Sequence, residues 1–177
     1  AYFEWMPMRE PESGNITSAV WRDFTFGDVA TIFATETRLT GRSPSIGWTD
    51  AVTTSDQTEM MAQIEAHLKV INDPARTMMG AAQEAWLNGE LACPQPPWTI
   101  LAQQTLFAPL ALQRPEGEMI WSDMWDGYPA AREAVLEALD GEAIQRALIL
   151  SGDVHSFWRN DILHKGRHIA NEIVTSC

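Results

Sequence analysis

The stretch from Ala147 to Asp161, Ala-Leu-Ile-Leu-Ser-Gly-Asp-Val-His-Ser-Phe-Trp-Arg-Asn-Asp, constrains this chain more than any other. Ala147 to Leu150 is a short unbroken apolar run, the pattern of a strand buried on both faces. Ser151-Gly152 ends it, and Asp153 and His155 follow two residues apart. Gly152, with no Cβ, suits a sharp backbone turn there. A carboxylate and an imidazole delivered from the carboxyl end of a strand stand where ligands gather in open α/β sheets. Asp offers a hard oxygen, able to bridge two cations, and His a neutral ring nitrogen. Asp153 and His155 are therefore candidate metal ligands, set against the plainer reading of an Asp-x-His loop turn.

The 177 residues are long enough for one domain with a sizeable core. With 45% hydrophobic and 20% charged residues the balance is globular. No apolar run approaches the ~18 residues of a membrane span. Twenty-four acidic against twelve basic side chains give a net charge of −12, which argues against nucleic-acid binding through a basic surface. A phosphorylated small substrate stays compatible, because bound cations invert the local potential. The two cysteines, Cys93 and Cys177, make no disulfide framework. Ala1 is followed by Tyr-Phe-Glu-Trp, without the basic start of a signal peptide, and the β-like run Ile169 to Thr175 ends without a turn. The chain reads as an internal segment of a longer protein.

Residues 1–19 read as irregular. Val20 to Phe26 alternates as a half-buried strand, Gly27-Asp28 turns, and Val29 to Ala34 is a second strand of the same hairpin. Pro44 to Thr54 reads as loop. A helix starts near Ser55, with Met60, Met61, Ile64, Leu68 and Ile71 as its apolar stripe and His67 beside it at a core edge. Gly80 to Leu91 is a second helix, with Ala82, Ala85, Trp86 and Leu91 inward. Trp98 to Ala102 follows Pro94, Pro96 and Pro97 as a buried strand. Residues 108–127 read as one long loop. Pro129 to Leu139 is a third helix, with Ala134, Val135 and Leu139 inward. Phe157 to Leu163 and Ile169 to Thr175 flank the hairpin turn Lys165-Gly166-Arg167, where His164 and His168 read as solvated. Helices alternate with strands and hairpins, a mixed α/β class.

Six segments in order resemble the PhoD-like (alkaline phosphatase D) branch of the calcineurin-like metallophosphatases. They are Tyr2-Phe3-Glu4-Trp5-Met6-Pro7-Met8-Arg9, Trp21-Arg22 through Phe26-Gly27-Asp28-Val29-Ala30, and Met79-Gly80 through Gln83-Glu84 to Trp86-Leu87. Then come Gln103-Gln104, Trp125-Asp126-Gly127-Tyr128 with Arg132, and Asn171-Glu172 through Thr175-Ser176. Leu150-Ser151-Gly152-Asp153-Val154-His155 resembles that family's last metal-binding motif. The family's Asp-Thr-Arg is here Glu36-Thr37-Arg38, which keeps the charge but moves it by a methylene.

The resemblance implies that residues 1–177 are the C-terminal part of one phosphatase domain. It implies a layered α-β-β-α sandwich, carried here as a partial segment with a mixed sheet. The implied activity is hydrolysis of phosphate mono- and diesters at a multinuclear site that uses calcium and iron. Asp153 and His155 are then two of its metal ligands. The remaining ligands, including an Asp, a Cys and an Asn, fall in a stretch that precedes these residues in the family, and Cys93 in its Pro-rich linker is not matched to that Cys. Arg38 is a candidate catalytic contact to phosphate, since a guanidinium fork suits phosphate oxygens. Asp126, between two aromatics on a loop, is a candidate site carboxylate, with capping of its own turn as the plainer reading. An extracellular or periplasmic location follows from family habit alone. The contrasting reading is a non-catalytic binding domain that keeps the sheet and tryptophans without the metals.

Overall fold

A computed structural model describes residues 20–38, 41–47, 51–114 and 117–175. The Tyr2 to Arg9 segment, Ser176 and Cys177 lie outside the described residues. The fold is mixed α/β. Its main sheet has six strands: β1 (Arg22–Phe26), β2 (Ala30–Ala34), β3 (Trp98–Ala102), β6 (Ala147–Ser151), β7 (Trp158–His164) and β8 (Arg167–Val174), in the order β1-β2-β3-β6-β8-β7. The central strands β2, β3, β6 and β8 run parallel, and an antiparallel hairpin closes each edge. The hairpins explain the antiparallel edges, since their short turns reverse the chain, while helical crossovers are needed for the parallel pairs. Two such crossover helices are α2 (Ala81–Leu91), before β3, and α3 (Pro129–Leu139), before β6.

A further helix, α1 (Gln57–Ile71), is capped by Asp56, whose carboxylate accepts from the Glu59 amide. Its buried residues are His67 and Ile71. Met61 departs from the expected stripe and is 58% exposed. One residue beyond Met60, it sits about 100° around the helix and misses the buried face. The inward face of α2 is Gln83, Leu87 and Leu91, spaced by four, whereas Ala82 and Ala85 are exposed. A polar residue leads that face because it bonds the backbone, as described below. On α3 the buried residues are Ala131, Val135 and Leu139, so Ala131 takes the place expected of Ala134.

The loop expected over 108–127 holds a small separate hairpin, β4 (Ala111–Arg114) with β5 (Gly117–Ile120), and a single 3-10 turn at Trp125–Gly127. Gly127 is forced by space, because an added Cβ would lie 1.9 Å from the Ser122 carbonyl oxygen. That neighbour is backbone and cannot swing aside. Gly127→Ala is expected to cost about 3 kcal/mol or more, the upper range for overpacking. Urea unfolding midpoints of the two proteins measure it, and an unchanged midpoint would contradict this packing.

Phe33, Leu101, Ile149, Ile162 and Ala170 from the sheet pack with Leu87, Leu91, Trp125, Tyr128, Val135 and Leu139 into one core. This core covers a single sheet face. β6 alternates between buried and half-buried positions, so the expectation of burial on both faces fails within the described residues. The other face is nonetheless apolar: Ile32, Ile100 and Leu148 lie side by side across three strands, and Ala34, Ala102, Leu150 and Ile173 across four. All seven are only half-buried. β1 is an edge strand rather than a half-buried one, with Phe24 46% and Phe26 56% exposed.

Candidate active site at the strand ends

Three parallel strands deliver polar segments at the same end of the sheet: Thr35 to Arg38 after β2, Gln103-Gln104 after β3, and Gly152 to Ser156 after β6. The chain ends are laced together by backbone bonds, from Thr35 N to Ala102 O and from Gln103 N to Leu150 O, each 2.9 Å. Glutamines then fix the first segment. Gln83, 2% exposed, accepts from Glu36 N at 2.7 Å and donates to Glu36 O at 2.9 Å. Gln104 accepts from Thr37 N and Thr37 Oγ1, both at 2.8 Å, and donates to Thr35 O at 2.7 Å. Glu36 is buried and folds back to accept from the Arg38 amide at 2.5 Å. These bonds present the Arg38 side chain at the mouth of the sheet.

Asp153 and His155 both sit in the turn that follows β6. Both adopt left-handed backbone, with φ of 72° and 55°. Gly152 is not in that region, so the strained residues are the two candidate ligands rather than the glycine. Such a conformation costs on the order of 1–3 kcal/mol per non-glycine residue and concentrates at functional sites. The Asp153 carboxylate accepts from Arg38 Nη2. His155 is exposed, and its ring has no hydrogen-bond partner among the described residues.

Arg38 also donates through Nη1 to Asp123 Oδ2 at 2.6 Å, and so joins Asp153 to the 121–128 loop. Asp123 is gripped a second time by Arg42, which donates to its Oδ1 at 2.6 Å and to its carbonyl at 2.9 Å. Burial disfavours the Asp123 charge, but hydrogen bonds from Arg38 and Arg42 outweigh it and hold the carboxyl below the usual range. Arg42 in turn donates to the Tyr128 hydroxyl at 2.8 Å, and that hydroxyl donates to Ser43 O at 2.7 Å. Tyr128 is fully buried, with Arg76 stacked 4.8 Å from its ring centre. The chain Tyr128, Arg42, Asp123, Arg38, Asp153 is thus one connected line of charge-assisted bonds. Asp123 and Arg42 escaped the sequence reading because each is a lone charge on a loop, and only the fold makes them partners.

Asp126 lies elsewhere in the same loop. Its Oδ2 accepts from Leu110 N at 2.8 Å and its Oδ1 from Arg132. The structure therefore ties Asp153 to Asp123, and Asp126 to α3. A cavity of 350 Å³ between α3 and β7, lined by Phe107, Pro129, Glu133 and Ile162 among others, includes none of Arg38, Asp123, Asp153 and His155.

The PhoD-like phosphatase family model matches residues 1–177. The chain belongs to the PhoD-like phosphatase family. It is similar to alkaline phosphatase D of Bacillus subtilis (strain 168), with 29% identity over 163 residues, 92% of this chain and 26% of that protein. It also matches a solved structure of PhoD at 27% identity with a TM-score of 0.75, covering 99% of this chain and 32% of that one. The chain therefore spans about a quarter to a third of these relatives' lengths.

A metal at this site can be tested against the donors present. Asp153 supplies a carboxylate with Oδ2 on Arg38, and His155 supplies an exposed imidazole with no competing bond among the described residues. An oxygen and a nitrogen donor on one short turn fit part of a metal site. They fall well short of the ~6 donors that a hard cation takes.

Proposed function

We propose that this chain supplies one wall of a metal-dependent phosphoester hydrolase site, with Asp153 and His155 as metal ligands and Arg38 as the residue that meets phosphate. The observation that carries this reading is the left-handed backbone at both Asp153 and His155, an unfavourable geometry held at the carboxyl end of a parallel strand. A metal held by Asp153 and His155 would supply Lewis acidity toward a phosphoryl oxygen and would lower the pKa of water near it. The chain's own residues do the positioning. Arg38 donates to the Asp153 carboxylate and so sets its guanidinium beside it, while Asp123, itself bonded by Arg42, accepts from Arg38. Because the Asp126 side chain is only 12% exposed and is turned to Leu110 N and Arg132, with no bond to Arg38, Asp123 or Asp153, we assign Asp126 to positioning the loop rather than to substrate contact.

The half-buried apolar face of Ile32, Ile100, Leu148, Leu150 and Ile173 supports a place within a larger domain, with a second layer over that face. Calcium and iron as the ions, diesters beside monoesters as substrates, and an extracellular or periplasmic location belong to this proposal through the family. No described helix is long and apolar enough to cross a membrane.

The test is hydrolysis of para-nitrophenyl phosphate by the full-length protein in which these residues lie, before and after chelation. The expected result is activity that chelator removes and calcium with iron restores, with the 177-residue chain alone at background. A folded, metal-loaded full-length protein inactive on mono- and diesters would favour the non-catalytic binding domain.

A further inference from the structure

The 121–128 loop brings to the strand ends a carboxylate that no sequence motif marks. Asp123 stands between two arginines, accepting from Arg38 Nη1 on Oδ2 and from Arg42 Nη2 on Oδ1, each at 2.6 Å. The Arg42 side chain is 10% exposed and is bonded through Nε to the hydroxyl of the fully buried Tyr128. Arg76, stacked on the same ring, donates to Gly127 O at 3.2 Å and to Pro44 O at 3.0 Å. The anchor of Arg42 is therefore fixed from several sides. The Arg38 and Asp123 side chains, by contrast, are 28% and 41% exposed. An ion pair so open to solvent adds little to stability.

What the pair does to Arg38 is more consequential. A guanidinium is a planar fork of N–H donors. Asp123 on Nη1 and Asp153 on Nη2 pin that fork at both ends and leave its remaining N–H groups for a phosphate. With Asp123 gone, a long side chain would pivot about the single partner Asp153. Charge works in the same direction. Two carboxylates around one guanidinium make a net negative cluster, which repels a phosphate. Arg42 on the far side of Asp123 restores the balance, two arginines against Asp123 and Asp153.

We infer that Asp123 is a positioning residue for phosphate recognition: anchored by Arg42, it holds the Arg38 guanidinium in the orientation that meets the phosphoryl group of the substrate. The inference rests on Arg38 contacting phosphate, as proposed above. It adds that Arg38 and Asp123 work as one unit. Asp123 acts through Arg38 and touches no reacting atom, so its loss matters only while Arg38 is present.

Steady-state kinetics on para-nitrophenyl phosphate and calorimetric binding of inorganic phosphate test this in the full-length protein. Wild type is compared with Asp123→Asn, Arg38→Ala and the double variant. Asparagine keeps the shape of Asp123 and one oxygen for Arg42, but turns an N–H toward Arg38. In Asp123→Asn, kcat/KM is expected to fall by about 10–100-fold, the scale of a small misplacement near the reacting group. The dissociation constant of inorganic phosphate should rise by about 10-fold or more for the same reason. In the Arg38→Ala background, Asp123→Asn should change both quantities by less than about twofold, because coupled residues are not additive. The melting temperature of Asp123→Asn should stay close to that of wild type, which a merely structural role would not allow. A double variant whose losses are the product of the single ones overturns the inference, since Asp123 then acts apart from Arg38. Phosphate binding weakened by Arg38→Ala but unchanged in Asp123→Asn also overturns it, and leaves the proposed role of Arg38 standing. Phosphate bound no more tightly by wild type than by Arg38→Ala removes that role, and the inference with it.

Discussion

Glu172→Gln and Glu172→Ala are each expected to destabilise the fold by about 3–5 kcal/mol, the cost of breaking a buried charged network from one side. Glu172 lies in β8 with no exposed surface. Its Oε1 accepts from Phe107 N at 2.7 Å and Ser151 Oγ at 2.6 Å. Its Oε2 accepts from Ala108 N at 3.0 Å and Asn160 Nδ2 at 2.8 Å. A carboxylate has about four lone-pair positions, and all four are used. Glutamine matches the size but turns an N–H toward donors already in place, and alanine strands four donors in the core. Each stranded donor carries the full desolvation penalty. Behind Glu172 the network continues through Ser151 to Gln103 at 2.6 Å and on to the Trp125 indole at 3.0 Å, so the loss spreads under all the strand ends. Ser151→Ala, by contrast, removes one neutral hydroxyl and should cost about 1 kcal/mol. Thermal melts would read the difference as a drop of roughly 10 °C against a few degrees. Equal melting temperatures for Glu172→Gln and wild type would mean that the carboxylate does not hold these four donors.

That network also marks how far the sequence could be read. β3 and α3 fall at their expected boundaries because Pro97 and Pro129 punctuate them. The β7–β8 hairpin follows from Lys165-Gly166 and the flanking β-prone runs. These are local signals. The residues that shape the site act across distance. Gln83 reaches Glu36 from 47 positions away, and Arg38 joins Asp123 and Asp153 at 85 and 115. No periodicity reports such pairs. An apolar count therefore placed Ala82 and Ala85 on the inner face of α2, where Gln83 in fact sits. The same blindness left His164 in solvent, although it packs against acidic groups on α3. The Asp153 and His155 turn was legible as a place, since a buried strand delivers it. Its left-handed strain was not, because sequence suggested that Gly152 would absorb it.

That strain makes Asp153→Asn the sharpest probe of the proposed chemistry. Asparagine is among the few residues that tolerate φ near 72°, so the turn is kept while the charge is lost. If Asp153 is a metal ligand, the full-length enzyme loses several kcal/mol of transition-state stabilisation. At 1.36 kcal/mol per tenfold, about 3–5 kcal/mol corresponds to a rate loss of roughly 10²–10⁴. His155→Asn should fall in the same range for the same reason, again without disturbing a left-handed residue. Their melting temperatures should stay near that of wild type, since His155 is exposed and the Arg38 bond to Asp153 is partly solvated. Asp126→Asn should show the opposite signature. It weakens the loop's hold on Arg132 and Leu110 N, so stability falls while kcat stays within about threefold of wild type if Asp126 positions the loop as proposed. Steady-state kinetics on para-nitrophenyl phosphate beside a thermal melt separate these outcomes. Asp153→Asn and His155→Asn enzymes with wild-type kcat would remove the β6 turn from the metal site. An Asp126→Asn enzyme that melts normally yet has lost its rate would put Asp126 in contact with the substrate instead.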